Sequence, residues 1–169
     1  MEIVMFEEQL LVQVPDSFKE MERERIEDRY PYEERPQIIL EDEVSHRFCT
    51  FSLLKIQKLS ENQLEYALKE VCWVVTSLYP GSLLDAPRLA YCEGAVCGWF
   101  SFRVAGIEEE LFHVMYILPV NGCMMLGTAG CALGDAEGKE EVMRIMKSLQ
   151  LCEKKFSFEV KRKELYYKR

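Results

Sequence analysis

The stretch LFHVMYILPVNGCMMLGTAGCALG, residues 111–134, decides the fold, because it contains no Asp, Glu, Lys or Arg. As a helix it would be long enough to cross a bilayer, for which about 20 apolar residues suffice. However, Pro119-Val120-Asn121-Gly122 lies at its centre and combines a helix breaker with the Asn-Gly pair typical of a tight hairpin turn. The sequence therefore predicts two strands, roughly Leu111–Leu118 and Cys123–Leu133, and no membrane span.

Both faces of this predicted hairpin are apolar. One side of the first strand carries Leu111, Met115 and Ile117, and the other side carries Phe112, Val114, Tyr116 and Leu118. A strand with one solvated face would instead alternate apolar with polar residues. We therefore expect the hairpin to form the centre of a sheet that is covered on both sides.

The remaining segments predict more hairpins and two substantial helices. The first helix begins near Ser60, whose spacing from Gln63 is that of a capping box, and Pro80-Gly81 ends it. Strands clustered in hairpins, with helices before and after them, indicate an α+β fold in which helices sandwich one antiparallel sheet. The predicted segments are strands at 2–6, 9–14, 37–40, 46–56, 89–92 and 97–105, a turn at Glu41-Asp42-Glu43, and helices at 18–26, 60–79 and 136–149.

The chain is predicted to form one domain over residues 1–152, followed by a basic tail at 153–169. It has 169 residues, 49% of them hydrophobic, and a net charge of −8. Residues 150–169 carry +4 and the preceding residues −12. An acidic body lacks the basic footprint of a nucleic-acid binder, so we expect no nucleic-acid partner. In the tail, Phe156, Phe158 and Val160 alternate with polar residues and predict an added strand.

Seven cysteines are distributed mainly through apolar segments, where cysteine behaves as a small hydrophobe. The N-terminal residues do not form a signal peptide, so the expected location is cytoplasmic, with reduced thiols. Cys92 and Cys97 are separated by more than the spacing of a C-x-x-C redox pair. No set of Cys and His residues has the spacing of a zinc site, so neither a metal nor another cofactor is expected.

Several segments together resemble the PsbP-like family, and in particular its bacterial DcrB-related branch. They are Val14-Pro15-Asp16-Ser17-Phe18, the loop Tyr30-Pro31-Tyr32-Glu33-Glu34-Arg35-Pro36, the helix end Tyr79-Pro80-Gly81, and Cys97-Gly98-Trp99-Phe100-Ser101-Phe102. The similarity covers residues 1 to about 150. This resemblance implies an α/β/α sandwich around an antiparallel sheet. It also implies a function without catalysis, because the known members of the family are mostly not enzymes: they include a photosystem II subunit, a nuclear-import factor that binds a GTPase, and chaperones for secreted toxins.

The sequence contains only two histidines, and neither has the neighbours of a catalytic base. His113 lies in the uncharged hairpin without a carboxylate or nucleophile nearby in sequence, so a position in the core or at its rim is expected, with its hydrogen bonds satisfied. His46 begins a strand and is expected to be solvated. No combination of nucleophile, base and orienting group is evident, so we predict that the protein is not an enzyme.

The predicted function is binding of another polypeptide, in the manner of an adaptor or chaperone. The predicted groove lies on the sheet and is lined by Trp99, Ser101, Gly127 and Ala129, because Gly127 and Ala129 share one face and allow close approach. The alternative is a small-molecule or lipid-binding module with a pocket between sheet and helix. An enclosed apolar cavity would favour that alternative, and an open apolar patch would favour a protein partner.

Overall fold

The computed structural model describes residues 1–92, 94–106 and 109–152, and the backbone of 165–167. Within these residues the strands form one eight-stranded and one four-stranded sheet, accompanied by three α-helices. The helices are α1 (Arg23–Arg29), α2 (Leu64–Leu78) and α3 (Ala136–Lys147). The strands are β1 (Glu2–Met5), β2 (Leu10–Gln13), β3 (Lys19–Glu20), β4 (Ile38–Asp42), β5 (Arg47–Lys58), β6 (Leu83–Leu84), β7 (Arg88–Cys92), β8 (Ala95–Ala105), β9 (Glu110–Val120), β10 (Cys123–Ala132), β11 (Gln150–Leu151) and β12 (Leu165–Tyr167).

The uncharged hairpin lies at the centre of the larger sheet, as the sequence predicts. The order of that sheet is β3-β4-β5-β10-β9-β8-β6, with β7 also paired to β8, and every pair is antiparallel. β9 and β10 pair along their length, from Val120 opposite Cys123 next to the turn to Leu111 opposite Ala132 at the far end. Asn121 and Gly122 form the turn with φ of 51° and 76°, the left-handed conformation that Asn-Gly favours.

Each face of the larger sheet is covered. On one face α2 packs on β8 and β9 against Phe100, Phe102 and Ile117, while α1 covers Ile39 of β4. On the other face α3 and the smaller sheet enclose Tyr116 and its neighbours. The expected sandwich is therefore present, with the addition of a second sheet in one of its outer layers.

That second sheet corrects the expectation of a single sheet. β1 and β2 form the predicted hairpin, but they join the order β11-β2-β1-β12 and do not extend the central sheet. β1 pairs in parallel with β12, with Ile3 opposite Leu165 and Met5 opposite Tyr167. The tail thus contributes a strand at 165–167, whereas the predicted strand at Phe156–Val160 lies outside the described residues.

Four local predictions also need correction. Glu41 belongs to β4 and is buried, because Arg25 of α1 binds its carboxylate through two hydrogen bonds of 2.7 Å. The helix expected at 18–26 begins only at Arg23, after β3. The chain from Ser60 first makes a 3-10 turn at Glu61–Gln63, and α2 follows. Leu78 continues the apolar spacing of Leu64, Leu68, Val71 and Val75, which predicts a place on the buried face of α2, but it is 67% exposed.

Candidate functional site

The four residues predicted to line a groove lie in two neighbouring rows across the larger sheet. In one row Trp99 of β8 pairs with Tyr116 of β9, which pairs with Gly127 of β10. In the next row Ser101 pairs with Val114, which pairs with Ala129. These four residues therefore share one face, the face that α3 and the smaller sheet cover.

The interior of these rows is closed to a partner chain. Ala129 has no exposed surface, and a Cβ added to Gly127 would lie 2.1 Å from the Tyr116 ring. The close approach that glycine allows is therefore used by the protein's own tyrosine. The side chain of Tyr116 fills the predicted groove. Gly127 and Ala129 therefore do not contribute to an open binding surface.

Trp99 and Ser101 lie nearer the margin of the same face, where they contact polar groups of the chain itself. The Arg88 guanidinium lies 4.9 Å from the centre of the Trp99 ring, a cation–π contact. The Ser101 hydroxyl donates to Asp85 Oδ2 at 2.7 Å, and the Asp85 N–H donates to the Ser101 carbonyl at 2.9 Å. Both residues thus hold the segment between β6 and β7 against β8.

An open apolar surface is found elsewhere, on the outer side of α2 and on the turn that follows it. Trp73 is 72% exposed and points away from the sheet, one heptad from the exposed Tyr66. The run from Val71 to Leu84 contains no charged residue. We call this the α2 surface, and its exposed apolar members are Tyr66, Trp73, Val74, Leu78, Tyr79 and Leu83.

The end of α2 is held in place by aromatic packing. The Tyr79 ring lies 6.3 Å from that of Phe102 in β8. Tyr30 and Tyr32, from the loop after α1, meet edge to face at 6.1 Å. Burial, together with neighbours that include Tyr32 and Tyr79, raises the pKa of Tyr30 to about 12. Tyr30 is therefore half-buried, whereas Tyr32 is 52% exposed and extends the apolar surface.

Sequence reasoning missed this surface because helical periodicity identifies the buried face of α2 and is silent about the outer face. The available signal was the absence of charge from Val71 to Leu84, since outer helix faces are usually charged. A tryptophan opposite the apolar stripe was the second signal.

The structure places His113 between the rings of Phe48 and Phe102, whose centroids lie 5.3 and 5.1 Å away. Burial lowers the pKa of His113 to about 4, so the imidazole is neutral at pH 7. Its Nε2 atom is buried without a hydrogen-bond partner among the described residues. His113 thus lies half-buried at the rim of the core, with an unsatisfied Nε2 atom.

Two open depressions lie away from the α2 surface. One, of about 430 Å³, is lined by residues that include Tyr91, Cys92 and Leu151. The other, of about 460 Å³, lies between the end of β2 and α3. The second therefore lies between a sheet and a helix, where the alternative function placed its pocket, but it is an open depression and not an enclosed apolar cavity. Across the described residues no helix is both long and apolar enough to span a membrane.

No family profile matches the sequence, and no curated protein matches it. Solved structures do match. Cyanobacterial PsbP (CyanoP) from Synechocystis superposes with a TM-score of 0.61 at 8% identity, over 90% of this chain and 92% of that one. The Ran-binding protein Mog1p from Saccharomyces cerevisiae gives 0.55 at 8% identity, over 89% and 94%.

The chain has the PsbP/Mog1-like fold. This confirms the α+β class and the PsbP-like architecture, while the narrower DcrB-related branch is not shown. A third match, a crystal structure from Bacteroides thetaiotaomicron, has a TM-score of 0.58 at 9% identity. It covers 88% of this chain, which spans only 47% of that longer one.

Proposed function

We propose that this protein binds another polypeptide through the α2 surface and acts as an adaptor or chaperone-like module. The observation that carries the proposal is the exposed Trp73, which lies in the uncharged run from Val71 to Leu84, one turn after the exposed Lys69 and Glu70. Contiguous exposed apolar surface is typical of interaction sites, and tryptophan is enriched among the residues that dominate binding energy.

The arrangement of the apolar residues favours a helical partner. Tyr66 and Trp73 lie seven residues apart on the outer side of α2, and Val74 and Leu78 continue along its flank. An amphipathic helix lying along α2 could pack its apolar stripe against this row, since helices present anchors at such spacings. We therefore propose that the partner presents an apolar helix, as a client of a chaperone would.

The comparison with Mog1p supports a binding role, because that protein is described as Ran-binding. We propose in addition that the chain belongs to the DcrB-related branch of the PsbP-like proteins. We also propose that the protein is not an enzyme and that it acts in the cytoplasm. The neutral, half-buried His113 supports the first point, because its Nε2 faces no acid or nucleophile among the described residues.

The proposal is tested by placing a photocrosslinking phenylalanine analogue at residue 73 in the native host. The matched control carries the analogue at Tyr91, an aromatic that is 82% exposed but lies on β7, away from α2. We expect a discrete crosslinked species from position 73 and none from position 91. Equal crosslinking from both positions, or none from position 73, would contradict the proposal.

A second measurement separates a foreign partner from self-association. The wild-type protein and Trp73→Glu are compared by sedimentation equilibrium over a range of concentrations. We expect both to have the same mass, because the partner is a different chain. A wild-type dimer that Trp73→Glu dissociates would show instead that the α2 surface joins two copies.

A further inference from the structure

The fold brings Cys92 and Cys97 together although five positions separate them in sequence. Their Sγ atoms lie 3.7 Å apart across the β7–β8 pair. In that pair Cys92 lies opposite Ala95 and Cys97 opposite Ala90, so the two thiols are diagonal neighbours on one face. Their spacing is not that of a C-x-x-C pair, but the hairpin folds the chain back on itself and brings the two thiols together.

The two thiols differ in access to solvent. Cys97 has no exposed surface, whereas Cys92 is only partly buried and lines the open depression of about 430 Å³ beside Tyr91 and Leu151. A small molecule in this depression would meet Cys92 first. Cys97 lies directly beneath it in the core.

The two thiols also differ in pKa, and the more accessible thiol has the lower one. The contact with Cys97 lowers the pKa of Cys92, and Lys147 acts in the same direction, while partial burial opposes them. The same contact and burial raise the pKa of Cys97. A partly exposed thiol with a depressed pKa is the reactive type of cysteine.

We propose that Cys92 and Cys97 form a redox-active dithiol that reacts with low-molecular-weight disulfides, with Cys92 as the attacking thiol and Cys97 as the resolving thiol. The bonded sulfurs of a disulfide lie about 2.05 Å apart, so the two Sγ atoms must come closer by about 1.7 Å. Because diagonal neighbours have Cα atoms about 7–8 Å apart, this closure requires the β7–β8 backbone to shift as well as the side chains to rotate. All seven cysteines are free in the structure, which therefore represents the reduced form.

With glutathione disulfide as the oxidant, the reaction proceeds in two exchanges. The Cys92 thiolate attacks one sulfur of glutathione disulfide, forms a mixed disulfide and releases one glutathione, which takes up a proton. Once Cys92 no longer carries charge, the Cys97 thiol loses its proton more readily and attacks Cys92 Sγ. The second glutathione leaves with that proton, so the protein loses two electrons and two protons and the glutathione disulfide gains them.

The test treats the full chain with glutathione disulfide, blocks the remaining thiols with N-ethylmaleimide in acid, and digests with trypsin. Both cysteines fall in the single peptide Leu89–Arg103, which contains no other cysteine. We expect this peptide to lose two hydrogens and to carry neither glutathione nor maleimide. Cys97→Ala should accumulate glutathione on Cys92, and Cys92→Ala should leave Cys97 unmodified.

Cys72 of α2 is the internal control, because it is also partly exposed but burial raises its pKa. We expect Cys92 to react at least about tenfold faster than Cys72. Equal rates would overturn the proposal, as would a wild-type peptide that keeps its glutathione adduct or remains fully alkylated. The two alanine variants are compared with wild type by circular dichroism, and the rate comparison within wild type requires no variant to fold.

Discussion

At the scale of single residues, His113 combines an ionisable side chain with an apolar site. Its imidazole lies between two phenylalanine rings, and Nε2 has no partner among the described residues. Taking the charged imidazolium out of water would be costly, and this is why the pKa falls to about 4. Between about pH 4 and 6.5 the unfolded chain therefore binds a proton at His113 that the folded protein does not bind.

This proton makes stability depend on pH. The unfolded imidazole has a pKa of about 6.5, so the contribution of neutral His113 is fully present above that pH and is lost as pH falls toward 4. We expect this residue alone to lower the free energy of unfolding by roughly 3 kcal/mol between pH 7 and pH 4. His113→Leu should remove that part of the slope in urea unfolding curves.

The control for this prediction is His46→Asn. His46 is exposed in the turn before β5 with φ of 59°, a conformation that asparagine tolerates. His46→Asn should keep the wild-type slope. If His113→Leu kept it as well, the imidazole would have to titrate in the folded protein much as it does in water.

At the scale of elements, the start of α3 is anchored to the sheet by an arginine, in addition to the packing of its apolar face. Arg47, at the start of β5, donates from Nε to Asp135 Oδ2 at 2.8 Å and from Nη2 to Oδ1 at 3.0 Å, and it also pairs with Glu141. Asp135 is the N-cap of α3, where its Oδ1 accepts from the Gly138 N–H at 2.9 Å. One carboxylate thus both begins the helix and anchors it.

Loss of this carboxylate should cost more than an ordinary cap. We expect Asp135→Ala to reduce the free energy of unfolding by about 2–3 kcal/mol, since a cap contributes about 1 kcal/mol and Arg47 would also lose its bidentate partner. Asp135→Asn should cost less, because the amide oxygen can still cap. Because Arg47 lowers the pKa of Asp135, the pair is stabilising at neutral pH and is lost only when acid protonates the carboxylate.

Chemical denaturation at pH 7 measures these differences. Glu140→Ala is the control on the same helix, because Glu140 is exposed and reaches Arg144 only at 3.9 Å. Such surface pairs contribute about 0–1 kcal/mol. An Asp135→Ala variant as stable as Glu140→Ala would mean that the contacts with Arg47 do not anchor the helix.

At the scale of the whole molecule, the two ends of the chain meet in the smaller sheet. β12 pairs in parallel with β1, and this places a strand of the basic tail on the edge of an acidic body. An unpaired β1 edge would be a template for association with other chains. The tail therefore completes the sheet in the described structure.

Deletion of residues 153–169 tests this role. We expect the melting temperature to fall by about 3–6 °C, since a loss of 1–2 kcal/mol shifts a domain of this size by that amount. The solution mass should fall only by the mass of the deleted residues. An unchanged melting temperature would show that the tail does not contribute to the fold, and a halved mass would show that it joined two copies.

The sequence determined the central hairpin, because an uncharged run interrupted by Pro and Asn-Gly has few other solutions. It also determined the α+β class and the positions of α2 and α3 to within a few residues, since apolar periodicity and capping are local signals. Gly127 was expected to allow another chain to approach the sheet closely. The occupant of that approach, the Tyr116 ring, was not predictable, because it depends on which residues become opposite neighbours.

Only the tertiary structure decided which segments and side chains contact one another. It separated the strands into two sheets, buried Glu41 by pairing it with Arg25, and left Leu78 exposed where α2 ends. It also brought Cys92 to Cys97 and left Trp73 on an open helix face. Local propensity and periodicity describe each segment alone, whereas these contacts depend on strand register and on what packs over each face. The fold class followed from the sequence, and the candidate sites followed from the packing.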